Sequence, residues 1–387
     1  MALLPHSSLH VSSKLAWRVL TLGVLAAGIT GGCASKGPTY VPPLARAEQF
    51  KPERDAYSRL GYRHEWTGFP TMTAGGRVNF FDVLGDVVVV QESTNTLSVL
   101  EAGNGASRWF DQVAGPLVKF VGNIRDDKTL LCTSESEVYF FDLETGNLVN
   151  KQKLDKVANT RPVVVQDRLV FGTASGEIFG QLKAGGFRVW GNQVAGSIQA
   201  NPVQMGDLLG FVSDTGEVII LDGVSGRSSM RTQIYSGTIV DPAASDRLMF
   251  IASTDHSVYA FSPSRPAPVW RHRTDTPLRY QPTHHDGRLY CAIDGTGMVA
   301  FDAQGSNGDA RIYWTNPDVL GTVIGVRNGR LVVWKGSTFT LLDPRDGATV
   351  DSVTLKNVGM VRVDKFVDGN MYIASTDGVV VKLLPRD

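Results

Sequence analysis

The sequence predicts an all-β fold: an eight-bladed β-propeller of four-stranded blades, with an N-terminal strand closing the last blade. Three markers sharing one period carry this prediction. The first is an Asp-x-x-x-Gly turn at residues 142–146 (DLETG), 222–226 (DGVSG) and 343–347 (DPRDG). Degenerate copies begin at Glu101, Leu182, Ser262 and Asp302 and a truncated one at Leu384, so successive turns lie 40 or 41 residues apart. The second marker is a proline ladder, Pro162, Pro202, Pro242 and Pro282, with Pro116 earlier. The third is a tryptophan eight residues beyond the turn position, at Trp109, Trp190 and Trp270. Trp314 takes this place after a short insertion, and Asn150, Met230 and Asp351 replace the ring elsewhere.

Residues 1–32 read as an address rather than as part of the fold. Lys14 and Arg18 precede an apolar run from Val19 to Ile29, and Thr30, Gly31 and Gly32 lead into Cys33. A basic flank, a short apolar segment and small residues describe a secretory signal. The run is too short for a bilayer core, which needs about 20 residues. The Cys33 position resembles a lipoprotein processing site, although Thr30 stands where leucine is usual. Acylation of Cys33 would anchor the chain to a membrane surface, and Ala34 after it resembles outer-membrane sorting. Residues 33–57, with Pro38, Pro42, Pro43 and Pro52, read as an extended tether.

Residues 58–387 form the repeat. Apolar runs such as residues 168–171 (RLVF), 247–250 (RLMF) and 288–291 (RLYC) alternate with Gly, Asp and Ser clusters, which is a hairpin pattern. The turn glycine suits a positive φ, which it adopts at little steric cost. Four strands in about 40 residues make one propeller blade. The last copy ends before its outermost strand, while Tyr62 to Trp66, with Trp66 eight residues past Ser58, supplies a spare one. Pairing these two ends closes the ring and hides strand edges.

Composition agrees. Thirty-eight basic and 38 acidic residues balance, which argues against a nucleic-acid partner. The 41 glycines mark turns. Cys132 and Cys291 fall on the second strands of blades 2 and 6, opposite one another and beyond the ~7 Å Cα reach of a disulfide. They read as buried thiols.

The strand, the Asp-x-x-x-Gly turn and the tryptophans at Trp66, Trp109, Trp190, Trp270 and Trp314 resemble the PQQ-type propeller repeat over residues 58–387, and imply that these rings dock blade on blade. Two groups share that scaffold: quinoprotein dehydrogenases, with pyrroloquinoline quinone and calcium, and BamB-type lipoproteins, accessories to the machine that inserts outer-membrane β-barrels. The vicinal cysteine pair of many quinoproteins is absent, and the signal, tether and single propeller resemble the BamB type. The resemblance implies a non-enzymatic scaffold without a cofactor, lipid-anchored at the outer membrane and facing the periplasm, with the barrel-assembly machinery as partner. A secreted periplasmic protein is the alternative location. A ligand-sensing propeller and a quinone-dependent dehydrogenase are the alternative functions.

Residues just before the repeating proline should ring the channel mouth: Arg161, Asn201, Asp241 and Gln281, with Arg362 at the corresponding place. Such a ring would bind a ligand or partner, or cap strand ends and hold water. His284 and His285 are adjacent in a strand and point to opposite faces, so they read as surface residues rather than metal ligands. Asp214, Asp255, Asp294 and Asp377 recur at one turn, where hydrogen bonding suits them better than calcium. Residues 295–300 match a dinucleotide fingerprint in letters but join two strands. No catalytic residue stands out.

Overall fold

The computed structural model describes residues 38–305 and 308–386; the signal reading and Cys33 lie outside them. Eight four-stranded antiparallel sheets follow one another along the chain, and seven are built from consecutive strands. Blades 1 to 7 span residues 78–112, 120–153, 163–193, 203–233, 243–273, 283–316 and 322–354. Blade 8 combines Val358–Val363, Met371–Ser375 and Val380–Pro385 with the N-terminal strand Tyr62–Gly68 as its outermost member. The pairing runs from Tyr62 opposite Pro385 to Gly68 opposite Val380. The closure expected from the sequence is therefore present. The inner strand of blade 1 (Val78–Leu84) touches those of blades 2 and 8, completing the circle.

The core is a ring of eight apolar layers, one between each pair of neighbouring blades. Val87, Val89 and Leu97 of blade 1 pack on Leu130, Cys132 and Phe141 of blade 2. Trp66 and Tyr372 of blade 8 pack on Phe81 and Val88 of blade 1. Second strands such as Val87–Glu92 are buried along their length because both faces meet a neighbour. Outer strands such as Leu148–Lys153 are almost wholly exposed. Their open edges are blunted by a bulge at one recurring place, seen between Val99 and Leu100, Phe140 and Phe141, and Ala300 and Phe301 of the facing strands.

The turn and the tryptophan act together. In blade 2 the Gly146 amide bonds to the Asp142 carbonyl and the Thr145 amide to the Asp142 carboxylate. The Thr145 hydroxyl also donates to that carboxylate, and it and the Thr145 amide pull the Asp142 carboxyl below its ordinary pKa. Gly146 has φ 73°, and a Cβ there would lie 2.6 Å from the Trp109 ring of blade 1. The same arrangement sets Trp66 over Gly105, Trp190 over Gly226, Trp270 over Gly305 and Trp314 over Gly347. Four of the five indoles donate to a carbonyl in the next turn: Trp66 to Ala102, Trp109 to Leu143, Trp270 to Ala303 and Trp314 to Pro344. Trp190 Nε1 finds no acceptor. Where Asn150 replaces the ring, Gln152 donates instead to the equivalent carbonyl, that of Lys183, at 2.6 Å.

The described part of the expected tether, residues 38–57, is not extended. It contains α1 (Pro43–Gln49), and α2 (Arg54–Arg59) starts within it. Pro43 sits in the first turn of α1, where a missing N–H breaks no hydrogen bond, so this proline starts a helix rather than an extended run. The Val41 amide bonds to the Met72 carbonyl, and buried Arg46 donates to the carbonyls of Pro70 and Gly378. Tyr57 and Leu60 enter the layer between blades 7 and 8. No helix among the described residues is long and apolar enough to cross a membrane.

Candidate functional site

Inner strands surround the axis of the ring, and the candidate channel residues lie along them. In blades 3 to 6 these strands are two or three residues long and begin after Pro162, Pro202, Pro242 and Pro282. Arg161, Asn201, Asp241 and Gln281 precede them. Arg362 stands inside its strand, Val358–Val363.

Three of these residues form a relay across blades 3, 4 and 5. The Asp241 carboxylate accepts from the Asn201 amide at 2.8 Å and from Asn201 Nδ2 at 3.0 Å. Asn201 Oδ1 in turn accepts from the Arg161 amide at 2.9 Å. The 40-residue repeat makes this possible, because equivalent backbone positions sit side by side. Gln281 is exposed and stands apart from the relay.

The relay ends on a residue that sequence reasoning missed. Asp82, in the inner strand of blade 1, lies 3.3 Å from the Arg161 guanidinium and is 6% exposed. Burial pushes the Asp82 carboxyl up, while Arg161 and Arg362 pull against that shift. Burial also lowers the Arg362 guanidinium, against the nearby Asp82 carboxylate, and Arg161 adds repulsion. Arg362 is exposed although protein crowds it, and it donates to the Val361 carbonyl. One signal for Asp82 was available: a single carboxylate inside the apolar run Val78–Leu84.

Chemically this is a network of two guanidinium groups, two carboxylates and an amide. It leaves both guanidinium groups in reach of water: the Arg161 side chain is 37% accessible, and Arg362 is exposed. Its carboxylates bond to Asn201 and Arg161.

Several of the other candidates have structural partners. His284 and His285 point to opposite faces as expected, yet they are half-buried between blades rather than on the surface. His284 stacks on Phe250 at 5.5 Å and His285 meets Phe366 at 4.6 Å. Asp214 accepts from the Ser197 amide, and Asp255 from the Tyr259 hydroxyl. Residues 295–300 belong to a hairpin between Arg288–Ile293 and Gly297–Asp302. Cys132 and Cys291 are buried free thiols. Among the described residues no three of His, Cys, Asp and Glu gather as a metal site.

A family model described as outer membrane protein assembly factor BamB matches residues 71–232 and 227–350. No curated protein sequence matches the chain. Among solved structures, the computationally designed Ika8 protein superposes with a TM-score of 0.67 at 11% identity, covering 83% of this chain and 99% of that one. BamB from Moraxella catarrhalis superposes with a TM-score of 0.52 at 16% identity, over 82% of this chain and 85% of its own. At these identities the two structures show a shared fold.

Proposed function

Because the chain belongs to the family of the outer membrane protein assembly factor BamB, we propose that it is a non-catalytic scaffold in outer-membrane β-barrel assembly. In this reading Cys33 is acylated, the propeller faces the periplasm, and the ring docks partner proteins of the assembly machinery. Family membership across residues 71–350 is the observation that carries it.

The architecture supports the reading. Eight interblade layers and the pairing of the two chain ends make a closed body, and such a body presents a surface with little ordering cost on binding. The channel carboxylates are held by Asn201 and Arg161, as in a structural network.

The test is deletion in the native cell, followed by quantification of outer-membrane β-barrel proteins and crosslinking of the full chain in membranes. Lower barrel levels and recovery of assembly-machinery subunits are expected. Unchanged barrel levels with no crosslinked subunit would remove the reading. Cys33→Ser should release the chain from membranes, which tests the anchor separately. Dye-linked alcohol or sugar oxidation by protein soaked in quinone and calcium would favour the dehydrogenase instead.

A further inference from the structure

One position of the repeat is filled differently in blade 7. Three residues before each turn, the third strand of a blade directs a side chain at the preceding blade. Tyr139, Phe179, Ile219, Tyr259, Val299 and Val381 occupy this place in blades 2, 3, 4, 5, 6 and 8, and all join the interblade layers. Blade 1 has Ser98, and there the chain fills the gap: the Thr71 amide bonds to Ser98 Oγ at 2.9 Å, and that hydroxyl bonds back to the Thr71 carbonyl.

Blade 7 has Thr340, and no segment among the described residues fills its gap. The cross-strand neighbour is equally small: Ser352 lies opposite, hydroxyl to hydroxyl at 3.3 Å. In blades 2 and 5 the corresponding neighbours, Lys151 and Arg271, lie over the Tyr139 and Tyr259 rings. A half-open cavity of about 310 Å³ results between blades 6 and 7, at the lower end of the ~300–1,000 Å³ range of small-molecule sites.

We propose that this cavity is a saccharide-binding site for a ring of monosaccharide size. Its walls carry the neutral hydroxyls of Thr338, Thr340, Thr349 and Ser352 beside the aliphatic side chains of Val319, Leu320 and Val333. Hydroxyl groups alternating with C–H faces are what a sugar ring offers to such walls. Thr349 Oγ1 accepts from Asn316 Nδ2 at 3.0 Å, so its own proton is free to donate. The charged lining residues, Asp318 and Lys335, are both exposed at the rim. No buried charge waits inside for a carboxylate or phosphate. The ligand class is therefore neutral and polyhydroxylated.

The experiment titrates the full chain with glucose, N-acetylglucosamine and maltose, read by saturation-transfer NMR and calorimetry. At least one should bind the wild type at millimolar concentration. Thr340→Tyr, which restores the ring found at Tyr139 and Tyr259, should weaken that binding at least tenfold without lowering Tm. Should Thr340→Tyr fail to fold, Thr338→Val removes one hydroxyl while keeping the volume, and a several-fold loss is expected. Failure of all three sugars to bind the wild type overturns the proposal, as does unchanged binding by the folded variant. Loss of protein crosslinks in Thr340→Tyr with inert sugars also overturns it, by assigning the cavity to a protein partner. These results leave the barrel-level test of the scaffold reading untouched.

Discussion

Arg161 of blade 3 passes over blade 2 to bring its guanidinium within 3.3 Å of the Asp82 carboxylate of blade 1. Gly122, in the inner strand of blade 2, makes the crossing possible, since a Cβ there would lie 2.9 Å from Arg161 Cγ. A contact between blades two apart is a strut across the channel wall.

The strut has a pH signature. Burial raises the Asp82 carboxyl above its unfolded value, so the folded state holds that proton more tightly. Its contribution then favours folding below the ordinary carboxylate pKa of ~4 and is lost as pH rises through the folded value. Denaturant unfolding between pH 4 and 8 should show a flatter dependence in Asp82→Asn than in the wild type. Parallel curves would contradict the assignment.

The docking rings rest on turn glycines for two separable reasons. Gly75 has φ 82° and open space around it, whereas Gly146 has φ 73° and the Trp109 ring beneath it. Gly75→Ala should cost about 1–2 kcal/mol from the left-handed backbone alone. Gly146→Ala should add about 1–3 kcal/mol of overpacking. Equal losses in urea unfolding would show that the ring yields freely.

The N-terminal segment holds on by burial more than by charge. Leu60 is fully buried between blades 7 and 8, and Leu60→Ala should cost about 2–5 kcal/mol. Arg59 pairs with Asp351 at an exposed site, its side chain 55% accessible, and Arg59→Ala should cost at most about 1 kcal/mol. Thermal and urea unfolding of the two variants checks the order.

Neither buried thiol should react in the folded protein. Burial raises the Cys132 thiol well above its usual value and pushes Cys291 up to about 12, so almost no thiolate exists at neutral pH. A thiol reagent should modify both at rates that track unfolding. Fast labelling of either in native buffer would refute the assignment.

Much of the site was only half legible. The proline ladder located Arg161, Asn201 and Asp241, because a strict period puts equal positions beside each other. Their shared terminus, Asp82, carried no repeat mark and was passed over. Asn150 announced a missing docking ring, but the substitute donor, Gln152, sits two residues away and is identifiable only by its bond to the Lys183 carbonyl. The prolines of residues 38–57 suggested a tether, whereas α1 and α2 form where buried Arg46, Tyr57 and Leu60 find partners on the ring.

What the sequence determined by itself was the blade: its length, its turn, its docking tryptophan and the spare strand that closes the circle. Each is a local pattern, and repetition made it readable. Tertiary structure decided what no repeat encodes. The Arg161–Asp82 strut joins residues 79 positions apart, and the cavity at Thr340 exists because, among the described residues, no segment fills blade 7 as Thr71 fills blade 1. Both depend on which side chains meet across blades, and packing sets that only after the ring has closed.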